Sequence, residues 1–280
     1  MAAADPNIIH VEYRGRVAIL TIDNDKKLNA FTQLQYYDLA QKLREVATHD
    51  EVYITVLIGK GRYFSAGADV SIISSGPPTT ATPRETHKHW LHNFAAFNLN
   101  VTQAFATHPK ILVAALNGPA IGLSAALAAF ADFVYATPHT FLLTPFSSLG
   151  LVTEGGASRA LVQRLGISKA NEALLMSRRI PVEDLLATGF VNRVFESVGK
   201  GPGEDAKFRD LVLREVDERL GPHLIGESLT GIKALIRAPE VEILERQNVK
   251  EVFAGLERFM KGVPQEEFRK IASGEKRHKL

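Results

Sequence analysis

The sequence predicts an α/β core of strand–strand–helix units to about residue 195, followed by a helical C-terminal part. Three observations predict it. Short β-branched runs recur before longer helical patterns. Glycine and proline break the chain where the pattern changes. From Pro181 onward the periodicity is helical.

In chain order, residues 8–14 and 16–23 flank Gly15 and read as a β-hairpin. Asp23 to Lys27 is a polar turn. From Thr32 to His49, Leu34, Tyr37, Leu39, Leu43 and Val46 fall near helical spacing. Val52 to Gly59 reads as a buried strand, stopped by Gly59-Lys60-Gly61. Residues 74–84, rich in Ser, Gly, Pro and Thr, form a loop before an amphipathic helix from Thr86 to Thr107. Ile111 to Leu116 is a strand, and Gly122 to Phe130 a buried helix of small residues. Phe133 to Ala136 and Thr140 to Leu143 are short strands. Residues 157–165 and 169–177 are helices. Residues 199–203 form a glycine hinge. The stretches 206–220, 227–237 and 241–261 read as three more helices.

Bulk properties exclude several classes. Lys plus Arg (33) against Asp plus Glu (31) is too balanced for a nucleic-acid protein. The chain has no cysteine, hence no disulfide and no thiolate metal site. No apolar run reaches the roughly 18 residues of a membrane helix. The nearest, Ala114 to Ala131, is broken by Asn117, Gly118, Pro119 and Gly122. Residues 1–10 lack the basic and apolar regions of a secretory signal. Gly-x-Ser-x-Gly, His-Glu-x-x-His, Walker and dinucleotide patterns are missing. His89 and His92 lie one turn apart, but no acidic partner stands at metal spacing, so a solvated face is expected.

Three segments hold possible chemistry. Phe64-Ser65-Ala66-Gly67-Ala68-Asp69 follows a strand, and its small residues let a ligand approach the main chain. Leu116-Asn117-Gly118-Pro119-Ala120-Ile121-Gly122-Leu123-Ser124-Ala125-Ala126 turns from a strand into a helix whose first N–H groups are free for a negative charge. Together they read either as an oxyanion hole or as two tight turns. In Leu149 to Ser158, Glu154 is a lone carboxylate in an apolar, glycine-rich setting. It reads either as a proton-transfer group raised by burial or as a helix-dipole carboxylate.

In this order, from Ile9 to about Val194, the segments resemble the crotonase (enoyl-CoA hydratase/isomerase) superfamily. The resemblance implies a spiral of ββα repeats over residues 1–195 and a helical oligomerisation region with a targeting tail over 196–280. It also implies a trimer or a dimer of trimers, a coenzyme A thioester as substrate, and no separate cofactor or metal. Oxyanion donors would be the N–H groups of Ala68 and Leu123. Ala66, Gly67, Ala68, Asp69, Val70, Leu123 and Asn98 would border the substrate.

The departures select the chemistry. Hydratases of this superfamily carry two glutamates, where this chain has Ala126 and Phe146. Glu154 alone suits a 1,3-proton shift, as in the fungal peroxisomal Δ3,Δ2-enoyl-CoA isomerases, which the Asn117–Leu127 and Thr153–Gly156 runs resemble. A dienoyl-CoA isomerase would ask for a further acid. Asp69 is available but expected to face away. A non-catalytic acyl-CoA-binding protein is the remaining alternative. Lys27, Lys60 and Arg62 could meet the coenzyme A phosphates or be surface charges. The terminal His278-Lys279-Leu280 is a variant of the Ser-Lys-Leu address, implying a peroxisomal import receptor and the peroxisomal matrix. Neither nucleic acid nor membrane is expected as a partner.

Overall fold

The computed structural model describes residues 7–69 and 76–276. Val70, part of the 74–84 loop and the His278-Lys279-Leu280 terminus lie outside the described residues.

Strands β1 (Ile9–Arg14) and β2 (Val17–Ile22) form the expected hairpin, with Arg14 opposite Val17. Helix α1 (Gln33–Ala47) starts at Thr32 through a capping box. The Gln35 N–H donates to Thr32 Oγ1 at 3.3 Å, and the Thr32 N–H to Gln35 Oε1 at 2.8 Å. Its inward face differs from expectation. Tyr36, Leu39, Ala40, Leu43 and Val46 are buried, while Leu34 and Tyr37 are exposed. The Tyr36 hydroxyl has a buried partner in Ser124 at 3.0 Å, which periodicity cannot show.

β3 (Ile54–Gly59), β4 (Ile111–Leu116) and β6 (Phe133–Ala136) extend the sheet in parallel. Between β3 and β4, α2 (Pro83–Trp90) passes through a π-helical turn (Leu91–Ala96) into α3 (Phe97–Ala106). The short β5 (Ala120–Ile121) leads into α4 (Leu123–Ala128), and β7 (Phe141–Leu143) pairs with β5. α5 (Ala157–Leu174) joins the two predicted helices across a kink at Gly166. The chain then forms β8 (Ile180–Pro181), α6 (Val182–Ala187), β9 (Arg193–Val194), α7 (Glu204–Leu220), α8 (Gly226–Met260) and α9 (Val263–Ala272). The main sheet runs β1-β2-β3-β4-β6-β9, and a small sheet runs β5-β7-β8.

β5, β8 and β9 are two-residue strands, too short to carry a period, where the sequence pattern is that of turn or helix. The predicted helices 227–237 and 241–261 are one 35-residue helix running through Pro239. Packing on both sides holds it together there. Arg237 bonds the Asp132 carboxylate at 2.9 Å, and Glu240 pairs with Arg159 at 2.8 Å. α9 was not anticipated. It begins after a left-handed Gly262, with Pro264 in its first turn.

The strands read as unbroken apolar runs because both faces of the sheet are covered. Ala18, Leu20, Leu57, Leu112 and Ala114 face α1, α3 and α4, together with Tyr36, Leu39, Val101, Phe105 and Leu127. Ile19, Val56, Ile58, Ile111 and Val113 face α7, through Phe208, Val212, Val216 and Leu220. The architecture is the α/β core with a helical C-terminal part that the sequence predicts. The loops leaving β3 and β4 emerge side by side, and that adjacency builds the site.

Candidate active site

The segments after β3 and β4 are laced together by backbone bonds. The Ser65 N–H donates to the Pro119 carbonyl at 3.2 Å, and the Ile121 N–H to the Ser65 carbonyl at 2.9 Å. A buried hydroxyl network supports them. Ser65 Oγ lies 2.8 Å from Ser124 Oγ and donates to the Asn29 carbonyl at 2.8 Å, while Ser124 also meets Tyr36. Burial raises the Tyr36 phenol above its ordinary range. The phenol therefore stays neutral and free to hydrogen-bond.

This frame turns two N–H groups outward. The Gly67 carbonyl accepts from the Phe31 N–H at 2.8 Å. A trans peptide points its N–H opposite its carbonyl, so the Ala68 N–H faces away from that pairing. The Gly122 carbonyl accepts from the Ala126 N–H at 3.1 Å inside α4, so the Leu123 N–H points back out of the helix start. Gly122 sits at φ 59° and ψ −130°, a conformation that only glycine adopts readily. Ala68 and Leu123 border the same cavity, with Ala66, Asp69, Asn98, Phe146 and Glu154.

Glu154 reaches that cavity from the loop before α5. Gly155 and Gly156 both take positive φ, 68° and 71°. A Cβ on Gly155 would meet Leu123 Cδ1 at 2.6 Å, so glycine allows the loop to lie against α4. Asn98 Nδ2 donates to Glu154 Oε2 at 2.9 Å. Glu154 lines the cavity and is half-buried in the protein around it. That burial, with the Glu251 charge behind it and Asn98 opposing, raises its pKa to about 7. A carboxyl near neutrality can accept a proton and give it back.

The two positions where hydratases hold glutamates carry Ala126, fully buried, and Phe146, which lines the cavity. Contrary to the expectation that it faces away, Asp69 borders the cavity, held there by an ion pair in which its Oδ2 accepts from Lys27 Nζ at 2.7 Å. Gly67 is buried beside Ile121 and does not border the cavity. Lys60 is bonded to Asp23 at 2.8 Å, and the Arg62 guanidinium lies over the Tyr63 ring. His89 and His92 form no metal cluster, and none exists among the described residues.

Sequence reading missed five contributors: Tyr36, Phe259, Phe268, Ile271 and Glu251. Tyr36 gave no signal because its value lies in a distant partner. Phe259, Phe268 and Ile271 close the far side of the cavity from α8 and α9. Glu251 sits in a charged stretch of α8 that reads as solvated, yet it is buried.

Comparison with known proteins places the chain in a class. The family described as Enoyl-CoA hydratase/isomerase matches residues 12–198. The chain belongs to that family. Among its relatives, the Delta(3,5)-Delta(2,4)-dienoyl-CoA isomerase of Pyricularia oryzae is 66% identical over 275 residues, spanning 96% of this chain and 98% of that protein. The 3,2-trans-enoyl-CoA isomerase of Saccharomyces cerevisiae is 35% identical over 277 residues, 96% of either chain. A solved enoyl-CoA hydratase/isomerase from Pseudoalteromonas atlantica superposes with a TM-score of 0.81 at 25% identity, over 98% of this chain and 100% of that one.

Proposed function

We propose that this protein is an isomerase that moves carbon–carbon double bonds in unsaturated acyl-CoA thioesters, with the 3-enoyl to trans-2-enoyl shift as its reaction. The observation that carries this reading is the Glu154 carboxylate, with no ion-pair partner among the described residues, at a cavity bordered by the Ala68 and Leu123 segments, with Ala126 and Phe146 in place of hydratase glutamates and the other lining carboxylate, Asp69, tied to Lys27.

In this mechanism the thioester oxygen accepts from the Ala68 and Leu123 N–H groups. Glu154 takes a proton from C2, and the electron pair moves onto the thioester as a dienolate. The dienolate collapses by taking the same proton at C4, leaving the double bond at C2–C3. Nothing is gained or lost, so no cofactor is required. C2 and C4 are two bonds apart on one face, within reach of a single carboxylate. Asn98 would hold that carboxylate in place. Ala66 and Asp69 border the cavity on the same segment and complete the proposed substrate-binding surface, and coenzyme A enters only as part of the substrate.

A second reading, the 3,5-dienoyl to 2,4-dienoyl shift, is favoured by the name of the 66% identical relative. Its proton travels from C2 to C6, four bonds apart, which asks for a second acid. Asp69 borders the cavity but is engaged by Lys27. Turnover of 3-hexenoyl-CoA and 3,5-octadienoyl-CoA, each with wild type and Glu154→Gln, decides between them. The leading reading expects 3-enoyl turnover that Glu154→Gln abolishes. Turnover of the dienoyl substrate alone overturns it in favour of the second. Full activity of Glu154→Gln overturns both.

Two further parts belong to the proposal. Exposed apolar side chains on α8 (Leu235, 78% exposed) and after α5 (Met176, 71%) support a homo-oligomer, a trimer or dimer of trimers, readable by light scattering. The His278-Lys279-Leu280 terminus supports import into the peroxisomal matrix, which a fluorescent fusion lacking those residues should fail to enter.

A further inference from the structure

Glu251 is a buried carboxylate beside the site, and the mechanism above gives it no task. It stands on α8, is 4% exposed, and spends both oxygens on the loop that carries Glu154. Oε2 accepts from the Gly156 N–H at 2.8 Å, and Oε1 from the Ser158 N–H at 2.7 Å. The Thr153 side chain bonds it as well. Its partners therefore stand on both sides of Glu154 in the chain. Helix α5 has no side-chain cap of its own, since Gly156 occupies that position. Glu251 supplies the cap from a different element, at the positive end of an 18-residue helix.

We propose that Glu251 is a positioning residue for the reaction: it clamps the loop on either side of Glu154 and sets its negative charge against that carboxylate. Burial pushes the Glu251 carboxyl up, and the bonds from Ser158, Gly156 and Thr153 oppose that rise by favouring its ionised form. A cap alone could come from a local serine or aspartate. A carboxylate here does a second thing. Its repulsion disfavours the ionised form of Glu154 and favours the protonated one, the form Glu154 takes when it accepts the C2 proton.

The surrounding charges leave this pairing intact. Among the described residues neither carboxylate has an ion-pair partner. Arg159 beside the clamp is held by Glu240 at 2.8 Å, and Gln247 donates to Ser158 Oγ at 2.9 Å. Arg258 donates to the Gly150 carbonyl at 2.7 Å. Across the cavity, Asp69 is paired with Lys27, and Tyr36 is neutral.

The inference rests on Glu154 being the base, and one experiment separates the two. Glu154→Gln, Glu251→Gln and Glu251→Asp are compared by pH profiles of kcat and KM with 3-hexenoyl-CoA, alongside thermal melts. Glu251→Gln removes the repulsion, so Glu154 ionises more readily and the acid limb of its profile moves to lower pH. The kcat should fall by about 10-fold or more with KM little changed, as a weaker, looser base requires. Glu251→Asp keeps the charge but sits back from the loop, so its limb stays near the wild-type position while kcat falls. A Glu251→Gln limb that does not move, beside an inactive Glu154→Gln, leaves only a helix cap and overturns the proposal. Should Glu251→Gln fail to fold, Glu251→Asp decides alone. A limb displaced from wild type, or an unchanged kcat, overturns it. Full activity of Glu154→Gln instead overturns the reading on which the proposal rests.

Discussion

At the scale of single residues, the site is a problem of what surrounds one carboxyl group. Burial and the Glu251 charge raise Glu154 to about 7, and Asn98 does not cancel them. The base must be ionised to act, so activity should rise with pH and reach half its plateau near pH 7 in a pH–kcat/KM profile. The same shift bears on stability. The folded state holds the Glu154 proton more tightly than the unfolded chain, whose value is 4.5. That stabilisation is complete below the unfolded value and is lost as pH rises through about 7. Glu154→Gln should therefore be inactive yet melt higher than wild type at pH 8. The gain has a ceiling of about 3 kcal/mol, lowered by water in the cavity, and the difference should shrink toward pH 4.5. The Ala68 donor can be removed without touching a side chain that binds anything. Ala68→Pro deletes that N–H and should cost about 10²–10³ in kcat, with the fold retained by circular dichroism.

The sequence was most informative at this scale where chemistry depends on a residue being small or missing. Ala126, Phe146 and the glycines around Glu154 could all be read directly. It was least informative where a residue acts through a distant partner. Tyr36 needs Ser124, Asp69 meets Lys27, and Glu251 needs Gly156 and Ser158. No local pattern encodes those pairings.

At the scale of elements, strands buried on both faces were legible as apolar runs, and capped helices by their start signals. The misses have a common cause. Two-residue strands carry no period, and Pro239 looks like a helix end until Arg237 and Glu240 are seen holding the helix through it. The loop between β7 and α5 depends on left-handed backbone, and Gly155 tests that dependence. Gly155→Ala forces a Cβ onto Leu123 Cδ1 at 2.6 Å in a strained conformation. It should lose about 1–3 kcal/mol in chemical denaturation and lower kcat by displacing Glu154 and Leu123 together.

At the scale of the whole molecule, the C-terminal helices do more than pack on the sheet. α7 covers one face of it, α8 brings Glu251 to the loop that carries Glu154, and α9 brings Phe268 and Ile271 to the cavity. The sequence marked this region as helical but gave no sign of where it would fold back.

That return of the tail to its own core bears on how copies would share work. A polypeptide that closes its own pocket is a self-sufficient unit, whatever assembly it joins. Co-refolding Glu154→Gln chains with chains truncated before α9 should therefore yield no revived turnover in a 3-hexenoyl-CoA assay. Restored activity would mean that one copy borrows its roof from another.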